Sequence, residues 1–194
     1  MRAARAGWVA VFLAAGCASS PAPGGTSTLA GPGVTPSSAV ATGERLDCNA
    51  IGDDRPTAGS LVVLDRVALP SPRAPALQTS RQQSPPSPLQ AYFAKTGLGF
   101  KAGTAWRLTV APEDEGHLLI GWGSPAAPSV GVSPPATCSP PSRTGWLWYP
   151  GGYWTDRPGC YAVVVHVGER TQRVSVGVGA PCPGQPPPPA PSDA

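Results

Sequence analysis

No stretch of this sequence supplies the roughly 20 consecutive apolar residues that a bilayer-spanning helix needs. The run Ala6–Ala15 is only about half that length, and the later apolar stretches, SLVVLD around Val62 and CYAVVVHV around Val164, are strand-sized. Lysine is almost missing, with Lys95 and Lys101 alone, and the arginines are scattered, so there is no clustered basic face with which to neutralise a nucleic-acid backbone. Also absent are the C-x-x-C spacing of a zinc site, the G-x-S-x-G nucleophile elbow and the H-E-x-x-H metalloprotease motif. The two histidines, His117 and His166, stand far apart with no nucleophile and orienting acid beside them in a motif. No catalytic residue, metal or cofactor is therefore expected, and nucleic acid is not expected as a partner.

The first seventeen residues, MRAARAGWVAVFLAAGC, are the most specific part of the chain. Arg2 and Arg5 give a basic start, Ala6–Ala15 an apolar middle, and Ala14, Ala15 and Gly16 a run of small side chains leading to Cys17. This resembles the signal of bacterial lipoproteins, although position 14 is Ala where that family usually has Leu. The resemblance implies cleavage before Cys17, lipid on its thiol, and an extracytoplasmic protein held to the cell membrane by that lipid. Each buried CH₂ adds about 0.8 kcal/mol, so several acyl chains anchor stably without a spanning helix. Loss of the leader removes the charges of Arg2 and Arg5 and takes the formal net charge from +3 to +1.

Gly (24) and Pro (27) together make about a quarter of the chain, and their placement divides it. Residues 1–16 read as signal peptide and 17–43 as the lipidated cysteine with a flexible Pro/Gly/Ser/Thr tether. A β-sandwich domain is expected over 44–183 and a disordered Pro-rich tail over 184–194. The tether and tail lack the apolar periodicity that would offset ordering entropy. The rest of the pattern is similar to secreted lipoproteins of high-GC bacteria, a likeness that carries no activity with it.

Within the domain, short apolar segments alternate with turn residues and no helical stripe intervenes, so the expected class is all-β. Ser60–Leu69 is one β-branched run. Thr104–Ala111 alternates, with Trp106, Leu108 and Val110 on one face. Leu118–Trp122, Ser129–Val132, Trp146–Tyr149, Cys160–Val167 and Arg173–Val178 follow, the last two as a hairpin about Glu169 and Arg170. About seven strands suggest an immunoglobulin-like sandwich, without the tyrosine two residues before the second cysteine that such domains carry. Cys48, Cys138, Cys160 and Cys182 read as two disulfides. Straight extension of the hairpin leaves Cys160 and Cys182 offset by roughly 10 Å, beyond the roughly 7 Å Cα separation a bridge allows. Two connectivities remain, Cys48–Cys160 with Cys138–Cys182 and Cys48–Cys182 with Cys138–Cys160, of which the first is preferred.

The segment GWLWYPGGYWTDRPGCY concentrates aromatics around a Pro150-Gly151-Gly152 turn. Trp148, Tyr149, Tyr153 and Trp154 are its candidate binding surface, for an envelope protein or a glycan. The competing expectation is that alternate rings close the sandwich core. Glu113-Asp114-Glu115 and Asp53-Asp54 read as solvated turns, since neither has the spaced oxygens of a calcium loop. The functional expectation is a non-enzymatic lipoprotein with a binding or structural role in the envelope. The alternative is a carbohydrate-binding module acting on cell-wall or extracellular glycan.

Overall fold

β-branched and aromatic residues spaced two apart dominate the segments that form strands, and glycine or proline closes most of them. The computed structural model describes residues 43–190 apart from 48, 50, 51, 86 and 136–141. The leader, Cys17 and the tether lie outside the described residues, as do Cys48, Cys138 and the end of the tail. The strands are β1 (Glu44–Arg45), β2 (Ser60–Val63), β3 (Val67–Pro70), β4 (Ser80–Arg81), β5 (Tyr92–Lys101), β6 (Arg107–Val110), β7 (Leu118–Trp122), β8 (Gly131–Ser133), β9 (Trp146–Thr155), β10 (Gly159–Val167) and β11 (Arg170–Val178). No α-helix is present among the described residues, and only two single 3-10 turns occur.

The strands form two sheets, one of five in the order β1-β8-β6-β10-β11 and one of six in the order β2-β3-β5-β9-β7, with β4 added beside β5. The fold is all-β and sandwich-like, because the inner faces of both sheets supply one core. Leu108, Val110, Val163, Val165, Val174 and Val176 come from the first sheet. Val63, Leu98, Phe100, Ile120, Trp122, Leu147, Tyr149 and Tyr153 come from the second. The expected alternation in β6 is present, with Trp106, Leu108 and Val110 buried and Arg107 exposed.

Several strands depart from the sequence expectation for identifiable reasons. Ser60–Leu69 is two strands, because Leu64 and Asp65 both take positive φ (49° and 59°) and turn the chain back as a tight hairpin. β9 does not stop at Pro150-Gly151-Gly152 but runs straight through it. The C=O of Pro150 accepts from Gly123 N–H at 2.9 Å. Its missing N–H therefore lies on the same edge, just past the last β7 pair, Trp122 with Gly151, where the regular ladder ends. Gly151 and Gly152 are needed there because a Cβ would collide with the carbonyl oxygens of Gly121 and Ala94 respectively. Glycine here is a central-strand residue chosen for close packing, not a turn residue.

The final hairpin turns at Gly168-Glu169, one residue earlier than expected, so that Cys160 faces Gly177. Beyond Val178 the chain does not continue straight. Gly179, at φ 71°, turns it back, and Cys182 reaches Cys160 with a Cα separation of 4.7 Å. The Cys160–Cys182 disulfide replaces both expected pairs, since the offset argument extended a strand that ends at Val178. Residues 184–190, expected as disordered tail, lie against the segment after β3. Gln185 is buried, its side-chain amide donates to Ala74 O at 3.0 Å, and Ala76 N–H donates to Pro186 O at 3.0 Å.

Candidate functional site

The aromatic segment is sorted by the period of β9. Tyr149 and Tyr153 point inward and are 1% and 0% exposed, so these two members of the expected surface belong to the core. Tyr149 Oη donates to Asp47 O at 2.6 Å, and burial pushes the phenol up to about 12. Tyr153 stands edge-on to Trp122 at 5.4 Å; its hydroxyl has no partner among the described residues, and burial raises its pKa.

Trp146, Trp148 and Trp154 point to the outer face of the six-stranded sheet. Trp146 is nearly covered, with Lys101 Nζ 6.0 Å from its ring, whereas Trp148 and Trp154 are half-buried. Each half-buried indole rests on glycine. A Cβ at Gly99 would lie 2.8 Å from the Trp148 ring carbons and one at Gly97 3.1 Å; at Gly121 it would meet Trp154 at 3.2 Å. Trp154 also packs at 4.6 Å on Phe93. Trp148 Nε1 donates to Asp54 O at 2.5 Å, which fixes the ring plane. The two outward indoles sit six residues apart on one strand, roughly 20 Å at 3.3 Å per residue, so they form two separate patches.

Beside Trp148 a cavity of about 430 Å³ opens, bordered by Asp54, Arg55, Thr57, Ser60, Pro75 and Leu77. Only Trp148 was legible here as a candidate. The other sequence signal is the alternation of Thr96-Gly97-Leu98-Gly99, two glycines two residues apart on the face where the neighbouring strand carries Trp148. It becomes readable only once the register Gly99 with Trp148 is known.

Asp53 is more than a solvated turn. Its carboxylate accepts from Ser142 Oγ (2.5 Å), Thr144 Oγ1 (2.7 Å), Arg143 N–H (2.6 Å) and Thr144 N–H (3.1 Å). These bonds, the Ser142 hydroxyl first, hold its pKa well below the usual carboxylate range. Asp54 gives its carbonyl to Trp148. Glu113 pairs with Arg173, which lowers its pKa, while Asp114 Oδ2 accepts Ala162 N–H at 2.6 Å.

Each histidine has one side-chain partner among the described residues. His117 Nδ1 lies 2.9 Å from Asp156 Oδ2, and the His117 side chain is 42% exposed. His166 Nε2 lies 3.1 Å from Thr109 Oγ1 on the outer face of the other sheet. Among the described residues no three His, Cys, Asp or Glu side chains converge in a manner that would hold a metal ion. No family model, curated protein or solved structure matches the chain.

Proposed function

We propose that this protein is a membrane-anchored extracytoplasmic lipoprotein whose β-domain has a non-enzymatic binding role in the cell envelope. Anchoring rests on the leader and Cys17, and the binding role rests on one observation, the cavity beside Trp148. An indole lying flat on glycines and half open to solvent, next to mixed polar and apolar walls, has the form of a recognition site. The inward tyrosines need no ligand, being part of the core.

Two finer readings of the architecture accompany this. With Cys160 bonded to Cys182, the remaining domain cysteines, Cys48 and Cys138, are left for each other as a second disulfide. In support, Leu46 N–H donates to Ser133 O at 2.9 Å and Asp53 binds Ser142, contacts that bring the neighbouring chain together on both sides of these cysteines. The immunoglobulin-like reading is supported by Tyr161, whose hydroxyl donates back to Arg157 O at 2.6 Å as the chain passes from one sheet to the other.

Co-sedimentation tests the binding role. The mature chain carrying Cys17→Ala, free of lipid, is mixed with isolated cell envelopes and pelleted. Saturable pelleting that is lost in a Trp148→Ala variant shown by circular dichroism to remain folded is expected. Pelleting that is absent, or indifferent to Trp148, contradicts the role.

A further inference from the structure

Strand β5 is paired with β9 along its length, but on its other edge only at its two ends. β3 pairs with Phe100 and Gly99, and β4 with Phe93 and Tyr92. Between them, residues 94–98 face no strand among the described residues. The chain joining β3 to β4 leaves the sheet here because Leu77 is taken up by the other sheet: its N–H donates to Gly177 O at 2.9 Å and its C=O accepts from Gly179 N–H at 2.8 Å. Lys101 N–H points to this edge, donating to Arg66 O at 2.9 Å. By antiparallel alternation, Lys95 and Gly97 turn their main-chain N–H and C=O into the same breach. The Gly97 carbonyl has one long contact there, 3.5 Å from Thr96 Oγ1.

The cavity of about 430 Å³ beside Trp148 is the outer mouth of this breach, and Gly97 lies on its floor. It combines a flat aromatic face, the hydroxyls of Thr57 and Ser60, main-chain donors and acceptors, and an apolar wall at Pro75 and Leu77. Asp54 and Arg55 bring one charge of each sign to this cavity, which leaves it without net charge. A molecule that fits has one apolar face, many hydroxyls and no charge. We propose that the breach binds a neutral hexopyranose unit of a glycan, with C–H groups of the sugar against the margin of the Trp148 indole that borders the cavity and its hydroxyls bonded to Thr57, Ser60 and the main chain of Gly97.

This inference rests on the binding role proposed above and names its ligand class. A second cavity of about 520 Å³ lies across Pro75 and Leu77 and reaches Phe93 and Lys95. Gly97 and Phe93 are four residues apart on β5, roughly 13 Å at 3.3 Å per residue, so a chain of sugars spans both cavities whereas a single sugar fills one.

The test is a tryptophan-fluorescence titration of the mature Cys17→Ala chain with cellohexaose, mannohexaose and chitohexaose, with glucose, mannose and N-acetylglucosamine as single-sugar controls. Saturable binding of at least one hexasaccharide is expected, at least tenfold tighter than its own monosaccharide. Trp148→Ala is expected to weaken it at least tenfold. Should that variant fail to fold, Thr57→Trp decides, since Thr57 is exposed and the larger ring fills the cavity from the rim without entering the core. No saturable binding of any hexasaccharide, or binding unaffected by Thr57→Trp, overturns the assignment. If envelopes still pellet the protein while all three sugars fail, the binding role stands and the sugar assignment falls.

Discussion

Asp53 and Tyr153 show two opposite ways in which one polar side chain shapes this domain. Asp53 accepts four hydrogen bonds from residues 142–144 and has its pKa held far below the ordinary value of about 3.9. A carboxyl whose folded pKa is depressed adds stability above its unfolded pKa, and that stability is lost as pH falls from about 4 towards the folded value. Glu113, held down by Arg173, acts in the same direction. Melting temperature measured against pH should therefore fall below about pH 4, and Asp53→Asn should lower it at neutral pH while flattening that acid limb. An acid limb as steep in Asp53→Asn as in the wild type contradicts this assignment. Tyr153 is the converse, a phenol in an apolar core with no partner for its hydroxyl among the described residues. Removing an unsatisfied hydroxyl relieves a desolvation cost, so Tyr153→Phe should leave stability unchanged or raise it by about 1 kcal/mol. Tyr153→Ala, which empties the site, should cost about 3 to 5 kcal/mol. Urea melts of the two variants read both values.

At the scale of elements, the hairpin of β10 with β11 and the buried faces of β6, β10 and β11 were legible from sequence, because alternation over Tyr161–Val167, Val174–Val178 and Trp106–Val110 decides which side chains face inward; the register was not, since a slip of two residues keeps the same faces buried and Cys160 pairs with Gly177, not Gly179. What was not legible depends on contacts distant in sequence. Gly151 and Gly152 look like a turn, and only the carbonyls of Gly121 and Ala94 pressing on them make them strand. Likewise, the turn at Gly179 rests on Thr79 and Pro158, whose atoms lie within 3 Å of where its Cβ would be. That turn brings Cys182 to Cys160, and no spacing rule foretells it. Of the candidate surface, Trp148 and Trp154 were placed on the outside and Tyr149 and Tyr153 inside, a division that follows once β9 is known to be continuous. The disulfide joins cysteines 22 residues apart and secures the chain that carries Gln185 into its buried position. In the chain-entropy model a loop of this length contributes about 3 kcal/mol. The double variant Cys160→Ala with Cys182→Ala should lose about 2 to 4 kcal/mol in a urea melt and expose residues 183–190 to rapid proteolysis. An unchanged cleavage pattern contradicts the fastening role.

The whole molecule joins two kinds of information. The leader carries its proposed address in seventeen residues, while the proposed sugar site lies in a breach left where Leu77, after β3, pairs with the other sheet. No helix among the described residues is long and apolar enough to cross a membrane. The proposed membrane attachment is the lipid on Cys17. The most direct measurement is fractionation of cells expressing the wild type or Cys17→Ala, with metabolic labelling by an alkyne fatty acid. Labelled wild-type protein is expected in the membrane pellet after a high-salt wash, and unlabelled Cys17→Ala protein in the soluble fraction. A Cys17→Ala protein that stays in the washed pellet, or a wild type that takes up no label, would contradict the proposed attachment.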